Sequence, residues 1–145
     1  MRSRHGRFGD PVSRLDYARS KMEEAFPGAN FDPDPATLNT LSLPDMNDVH
    51  VVATAVAAEA PTIVTFNVAH FPDAVLAPIG LRAETPDAFS SRLFSVAGAD
   101  IVEGARLHRQ SLRRPPFAPD AYLDHLASQE FARTAALLQR SKRMI

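Results

Sequence analysis

At 145 residues, 45% hydrophobic and 23% charged, the chain has the size and composition of one soluble domain with a modest core. It has no cysteine, which excludes a disulfide scaffold, a zinc–thiolate site and a thiol nucleophile. The net charge of −1 hides an asymmetry: residues 1–21 carry six basic and two acidic side chains, residues 22–100 two and eleven, and residues 101–145 eight and four. That pattern suits a cation site between polyanion-binding ends, or ordinary helix surface charge.

The basic start, Met1 to Arg7, is followed by no apolar stretch, so it does not read as a secretory signal, and a cytoplasmic location is expected. No apolar run approaches the roughly 18 residues of a membrane helix. Asp10-Pro11 reads as an N-cap with proline at the first helical position, and Leu15, Ala18, Met22 and Phe26 then share one helical face up to the stop at Pro27-Gly28. Pro33, Pro35 and Pro44 predict loop over residues 30–44, with a short helix near Ala36–Leu41.

Val49, Val52, Ala53, Val56, Ala57 and Ala60 keep helical spacing and predict one helix over residues 47–60, stopped by Pro61. It should pack through Val52, Ala53 and Val56 on a short β-branched strand at residues 62–66. Leu81–Glu84 reads as a second strand. From Thr85-Pro86-Asp87 onward the pattern is helical: Phe89, Leu93 and Val96 share a face, and Asp100 with Glu103 resembles a capping box for a helix reaching Leu112. A basic break, Arg113 to Pro116, precedes helices near residues 119–127 and 129–141.

Two blocks carry candidate chemistry. In the first, Asp45 and Asp48 stand three residues apart at the mouth of the alanine-rich helix. Acids there cap free N–H groups and favour the helix dipole, and spacing alone leaves capping and cation binding both open. In the second, Thr65 and Asn67 stand at the C-terminal end of the strand, where open α/β sheets bind ligands and where a polar turn is also expected. The five histidines show no zinc spacing, and His50 reads as a local hydrogen-bonding or packing residue. Arg106, Arg109, Arg113 and Arg114 could grip RNA phosphates or form a solvated helix face. Phe117 and Tyr122 suit base stacking or a core.

Together, the blocks between Leu43 and Pro72 resemble the PIN-domain family, in its branch of VapC-like toxin ribonucleases. The shared pattern is Asp48 opening an alanine-rich helix, a short strand, Thr65-x-Asn67, then Phe71-Pro72. Flanking stretches Met22–Pro27, Pro78–Leu81 and Thr85–Phe89 extend the likeness over about residues 20–90.

The resemblance implies an α/β fold: a truncated PIN-like parallel sheet flanked by helices over residues 1–85, then a C-terminal all-helical extension over residues 86–145. It also implies a metal-dependent endoribonuclease in which carboxylates hold Mg²⁺ or Mn²⁺. Asp48 matches the family acid and Asp45 is its neighbour as a second metal ligand. Asn67 stands where relatives often have Asp, and Thr65 hydrogen-bonds within the site. RNA is the implied substrate, with Arg109, Arg113 and Arg114 as its contacts; an antitoxin and a second copy of the chain are the implied partners. The chain departs from the family in two ways. It enters the pattern after the first strand and its two acids, and His70 stands where relatives often have Asp. Weak or absent cleavage by the chain alone is therefore expected, the alternative being a non-catalytic interaction module.

Overall fold

The computed structural model describes residues 11–113 and 116–145, with side chains from Leu15 onward. The expected cap at Asp10 and the expected phosphate contact at Arg114 lie outside the described residues.

The alanine-rich stretch forms the centre of the N-terminal half. A 3-10 turn, Met46–Asp48, runs directly into a helix at Val49–Ala57. Within it Val52 and Ala53 are wholly buried, Val49 and Ala55 nearly so, and Val56 partly. The helix stops three residues before the expected end, for a backbone reason. Glu59 takes a left-handed conformation at φ 51°. The Glu59 and Ala60 N–H groups then turn back onto the Val56 and Ala55 carbonyls at 3.0 and 2.9 Å. This Schellman closure satisfies the free carbonyls and aims Pro61 at the sheet.

Strand β1, Thr62–Val64, pairs in parallel with β2, Arg82–Glu84, in the register Thr62 to Arg82, Ile63 to Ala83 and Val64 to Glu84. The ladder extends by one bond at each end, from Arg82 N to Pro61 O and from Thr65 N to Glu84 O. It goes no further, because the Asn67 N–H folds back onto Thr65 Oγ1 at 3.0 Å and turns the chain away. That local hydrogen bond shortens the expected strand by two residues.

Numbered along the chain, the helices are α1 (Pro11–Ala25), α2 (Pro35–Thr40), α3 (Val49–Ala57), α4 (Asp73–Leu76), α5 (Pro86–Ser111), α6 (Pro119–Ser128) and α7 (Ala132–Leu138). The molecule is thus mixed α/β, with a small parallel sheet and a helical remainder. Helix α1 forms as its sequence predicts, but among the described residues its apolar face covers nothing: Leu15, Ala18, Met22 and Phe26 are all exposed. Asp34 caps α2, accepting from Thr37 N at 2.7 Å, and α2 packs on α3.

Two hydrophobic clusters result. Leu43, Val49, Val52, Ala55, Ile63, Phe71, Leu76 and Leu81 form the first, between α3, the sheet and α4. Val102, Ala105, Tyr122, Leu123, Ala135, Leu138 and Ile145 form the second, among α5, α6 and α7. Thr85 caps α5, accepting from Ala88 N at 3.2 Å. Helix α5 kinks at Ala97, whose φ of −136° and ψ of 35° leave the helical region. The expected restart at Asp100 is therefore displaced to the kink, and Asp100 lies inside a helical run rather than capping one. Asp87, in the first turn of α5, is buried and accepts from Arg133 N, Thr134 N and Thr134 Oγ1 at 3.0, 2.8 and 2.8 Å. It serves as a distant cap for α7. The halves touch where Phe66 meets Phe131 edge-on, at 6.4 Å between ring centroids, and where Arg92 bonds Glu84.

Candidate metal centre

Asp45 precedes the 3-10 turn and uses its carboxylate as a cap, accepting from Asn47 N at 2.9 Å. Asp48 stands immediately before α3 yet makes no side-chain cap bond. Its Oδ2 instead meets His70 Nδ1 at 2.7 Å, across 22 residues of sequence. Of the two acids, Asp45 thus acts as a cap and Asp48 does not.

His70 closes a 3-10 turn, Val68–His70, on the loop leaving the C-terminal end of β1. The turn is held by His70 N to Asn67 O and Phe71 N to Val68 O, at 3.1 and 3.0 Å. Phe71 is buried in the first cluster, which fixes the backbone next to His70. The Asp48 and His70 side chains are 27% and 36% exposed, so the pair is half-buried and open to solutes.

One ligating atom each from Asp45, Asp48 and His70 lies within 4.8 Å of the other two. Bonds of about 2.1 Å put neighbouring donors about 3 Å and opposite donors about 4.2 Å apart around a single ion. Two carboxylates and an imidazole are therefore close enough to converge on one divalent cation after small side-chain movements.

Sequence reasoning singled out both acids but passed over His70, noting it only as a substitution for Asp. The signal for it was its place before Phe71-Pro72. Asn67 and Thr65 share the same loop, where the Asn67 backbone bonds the Thr65 hydroxyl. His50 bonds locally, through Nδ1 to Asn47 O, as its position suggested. A further acid at this end of the sheet, Glu84, is engaged by Arg82 Nε at 2.7 Å and Arg92 Nε at 3.1 Å. The hydrogen bond from Arg92, assisted by Arg82, holds its pKa below the usual 4.5 against the opposing effect of burial.

Of the candidate RNA contacts, Arg109 donates from Nη1 to Phe117 O at 2.8 Å, while its Nε is buried with no partner among the described residues. It ties the α5–α6 connection together. Arg113 is exposed and forms an isolated antiparallel bridge with Pro116. Tyr122 is buried in the second cluster with its hydroxyl 3.0 Å from His108 Nδ1, which favours the core reading over base stacking.

Residues 86–140 match the profile of a family described as the VapC50 C-terminal domain. The chain is also 38% identical over 96 residues to a Mycobacterium tuberculosis (strain ATCC 25618 / H37Rv) protein named "Putative ribonuclease VapC50". That similarity covers 63% of this chain and 55% of the relative, so the chain spans about half the length of the curated relative it matches. No solved structure matches.

Proposed function

We propose that the chain, similar to the VapC50 C-terminal domain family over residues 86–140 and to a VapC-type putative ribonuclease, is a member of the VapC-like branch of the PIN-domain family and carries part of the active site of a metal-dependent endoribonuclease. The observation supporting this reading most directly is Asp48, which leaves its capping role to face Asp45 and His70 beside the C-terminal end of a parallel strand. Asp45, Asp48 and His70 would hold Mg²⁺ or Mn²⁺. Such an ion supplies charge for the scissile phosphate and lowers the pKa of water. Thr65 and Asn67 lie on the adjoining loop, suited to orienting a phosphate or a water by hydrogen bonds. Arg113 and Arg114 would guide the RNA backbone, together with Arg109, which bonds Phe117 O.

Residues 1–85 read as a partial catalytic domain and residues 86–145 as a helical extension, a division supported by the two separate clusters. Two carboxylates bind a divalent cation weakly. Among the described residues, moreover, β1 pairs with β2 alone. Along β1 lies an apolar groove of about 480 Å³ lined by Phe31, Val51, Ala55, Ala58, Ile63 and Val64. An added strand bearing further acids would complete both sheet and site. Cleavage by the 145-residue chain alone is accordingly weak or absent. An antitoxin or a second copy of the chain suits the exposed face of α1. No helix among the described residues is long and apolar enough to cross a membrane, and the cytoplasm is the proposed location.

A second reading, a non-catalytic interaction module, draws on the same exposed face and on the way His70 already satisfies Asp48. Cleavage of end-labelled RNA distinguishes them. Under the catalytic reading, complementation with an acid-bearing strand segment raises Mg²⁺- or Mn²⁺-dependent cleavage. Asp48→Asn then lowers the rate by at least about tenfold, the loss of about 1.4 kcal/mol of transition-state stabilisation. Strong cleavage indifferent to Asp48→Asn would defeat the site assignment, and no cleavage under any complementation would favour the interaction module.

A further inference from the structure

The donor set at the end of the sheet is not purely oxygen. We infer that His70 makes the Asp45–Asp48–His70 site selective for a first-row transition ion such as Mn²⁺ over Mg²⁺. The inference rests on the metal-site reading above and adds to it the identity of the ion and the residue that chooses it.

The argument is one of donor chemistry and placement. Mg²⁺ demands near-ideal octahedral oxygen coordination and keeps its waters, so an imidazole contributes little to holding it. Transition ions accept nitrogen readily, and their affinity for mixed nitrogen and oxygen sites exceeds that of the alkaline earths. His70 is not a loose surface histidine. Its turn is closed by two backbone hydrogen bonds and anchored by buried Phe71, and its Nδ1 already lies 2.7 Å from Asp48 Oδ2. The ring is therefore already held beside Asp48, and a bound ion would take the place of the proton shared between Nδ1 and Oδ2.

The oxygen donors are fewer than an Mg²⁺ site prefers. Asp45 commits one carboxylate oxygen to the Asn47 N–H. Glu84, the other acid at this end of the sheet, is engaged by Arg82 and Arg92. Two carboxylates thus stand alone against the hydration shell of Mg²⁺, while the nitrogen donor favours its competitor.

Electron paramagnetic resonance of Mn²⁺ titrated into the full 145-residue chain tests this directly, with Mg²⁺ as competitor. The expected result is binding of Mn²⁺ at least about tenfold tighter than Mg²⁺, with nitrogen hyperfine coupling on the bound ion. His70→Asp should erase the coupling and reduce the Mn²⁺ to Mg²⁺ ratio by about fivefold or more. His70→Ala should weaken Mn²⁺ while leaving Mg²⁺ little changed. Far-ultraviolet circular dichroism confirms that each variant keeps the wild-type fold, as the half-exposed position of His70 allows. Two results overturn the inference alone: absent nitrogen coupling, or a ratio that His70→Asp does not move, while Asp48→Asn still abolishes binding of both ions. Binding of neither ion at millimolar concentration, or binding that ignores Asp48→Asn, overturns the metal-site reading together with it.

Discussion

Glu59 and Glu130 hold left-handed backbone at φ 51° and 67°, each just past the end of a helix. At both places the next N–H closes the helix, Ala60 onto Ala55 and Phe131 onto Leu126, at 2.9 and 3.0 Å. A residue with a Cβ is strained in this region by about 1–2 kcal/mol, and glycine is not. Glu59→Gly and Glu130→Gly should therefore each stabilise the chain by about 0.5–1 kcal/mol, after the larger entropy glycine loses on folding. Urea unfolding checks this; a loss of stability at either site would mean that the glutamate side chain contributes more than its backbone costs. The stop at Glu59 was not legible, because glutamate in a helical run signals continuation and Pro61 was the visible signal; the end of α6 was expected near residue 127, one residue from where it falls. Asp45 and Asp48 were legible through their spacing before an apolar helix. His70 was not, since its meeting with Asp48 depends on how a loop 22 residues away folds back.

At the level of elements, helix identity followed from periodicity and proline, and each expected helix exists. What periodicity could not show is which apolar faces would find a partner: α1 keeps its pattern in solvent, while α3, with similar spacing, is buried. The tie between α5 and α7 was equally invisible, because Asp87 looks like an ordinary first-turn acid. Burial opposes ionisation of Asp87, but the Thr134 backbone and side-chain hydrogen bonds, with the Arg133 N–H and charge, outweigh it and hold its pKa below the usual 3.8. A carboxyl with a lowered folded-state pKa stabilises the fold above its unfolded value, and that contribution is lost as pH falls through the folded value. Acidification below 3.8 should therefore loosen α7 against α5. Asp87→Asn should destabilise by about 1–3 kcal/mol at neutral pH and flatten this acid response. Thermal melts across the acid range test both; an Asp87→Asn variant with the wild-type acid profile would assign the sensitivity elsewhere.

At the scale of the whole molecule, the exposed face of α1 should matter for association and little for stability. Leu15→Ser with Phe26→Ser should change unfolding free energy by less than about 0.5 kcal/mol. The same double variant should weaken any self-association or antitoxin binding, measured by sedimentation and titration calorimetry. A large stability loss would show that the face is covered within the chain. Val52 is the opposite case: wholly buried in the first cluster, it should cost about 1–3 kcal/mol as Val52→Ala.

The two clusters have a consequence for cooperativity. Each is assembled largely from neighbours in sequence, and the described links between them include one aromatic contact and one surface ion pair. Units so lightly coupled need not melt as one, so a single free energy of unfolding would average two events. Amide exchange should resolve them: Val52→Ala would speed exchange in α3 and β1 while leaving protection of α6 and α7 nearly intact. The helical module would then persist as a folded body after the sheet has opened, and the site built on the sheet would vary in occupancy with local rather than global stability.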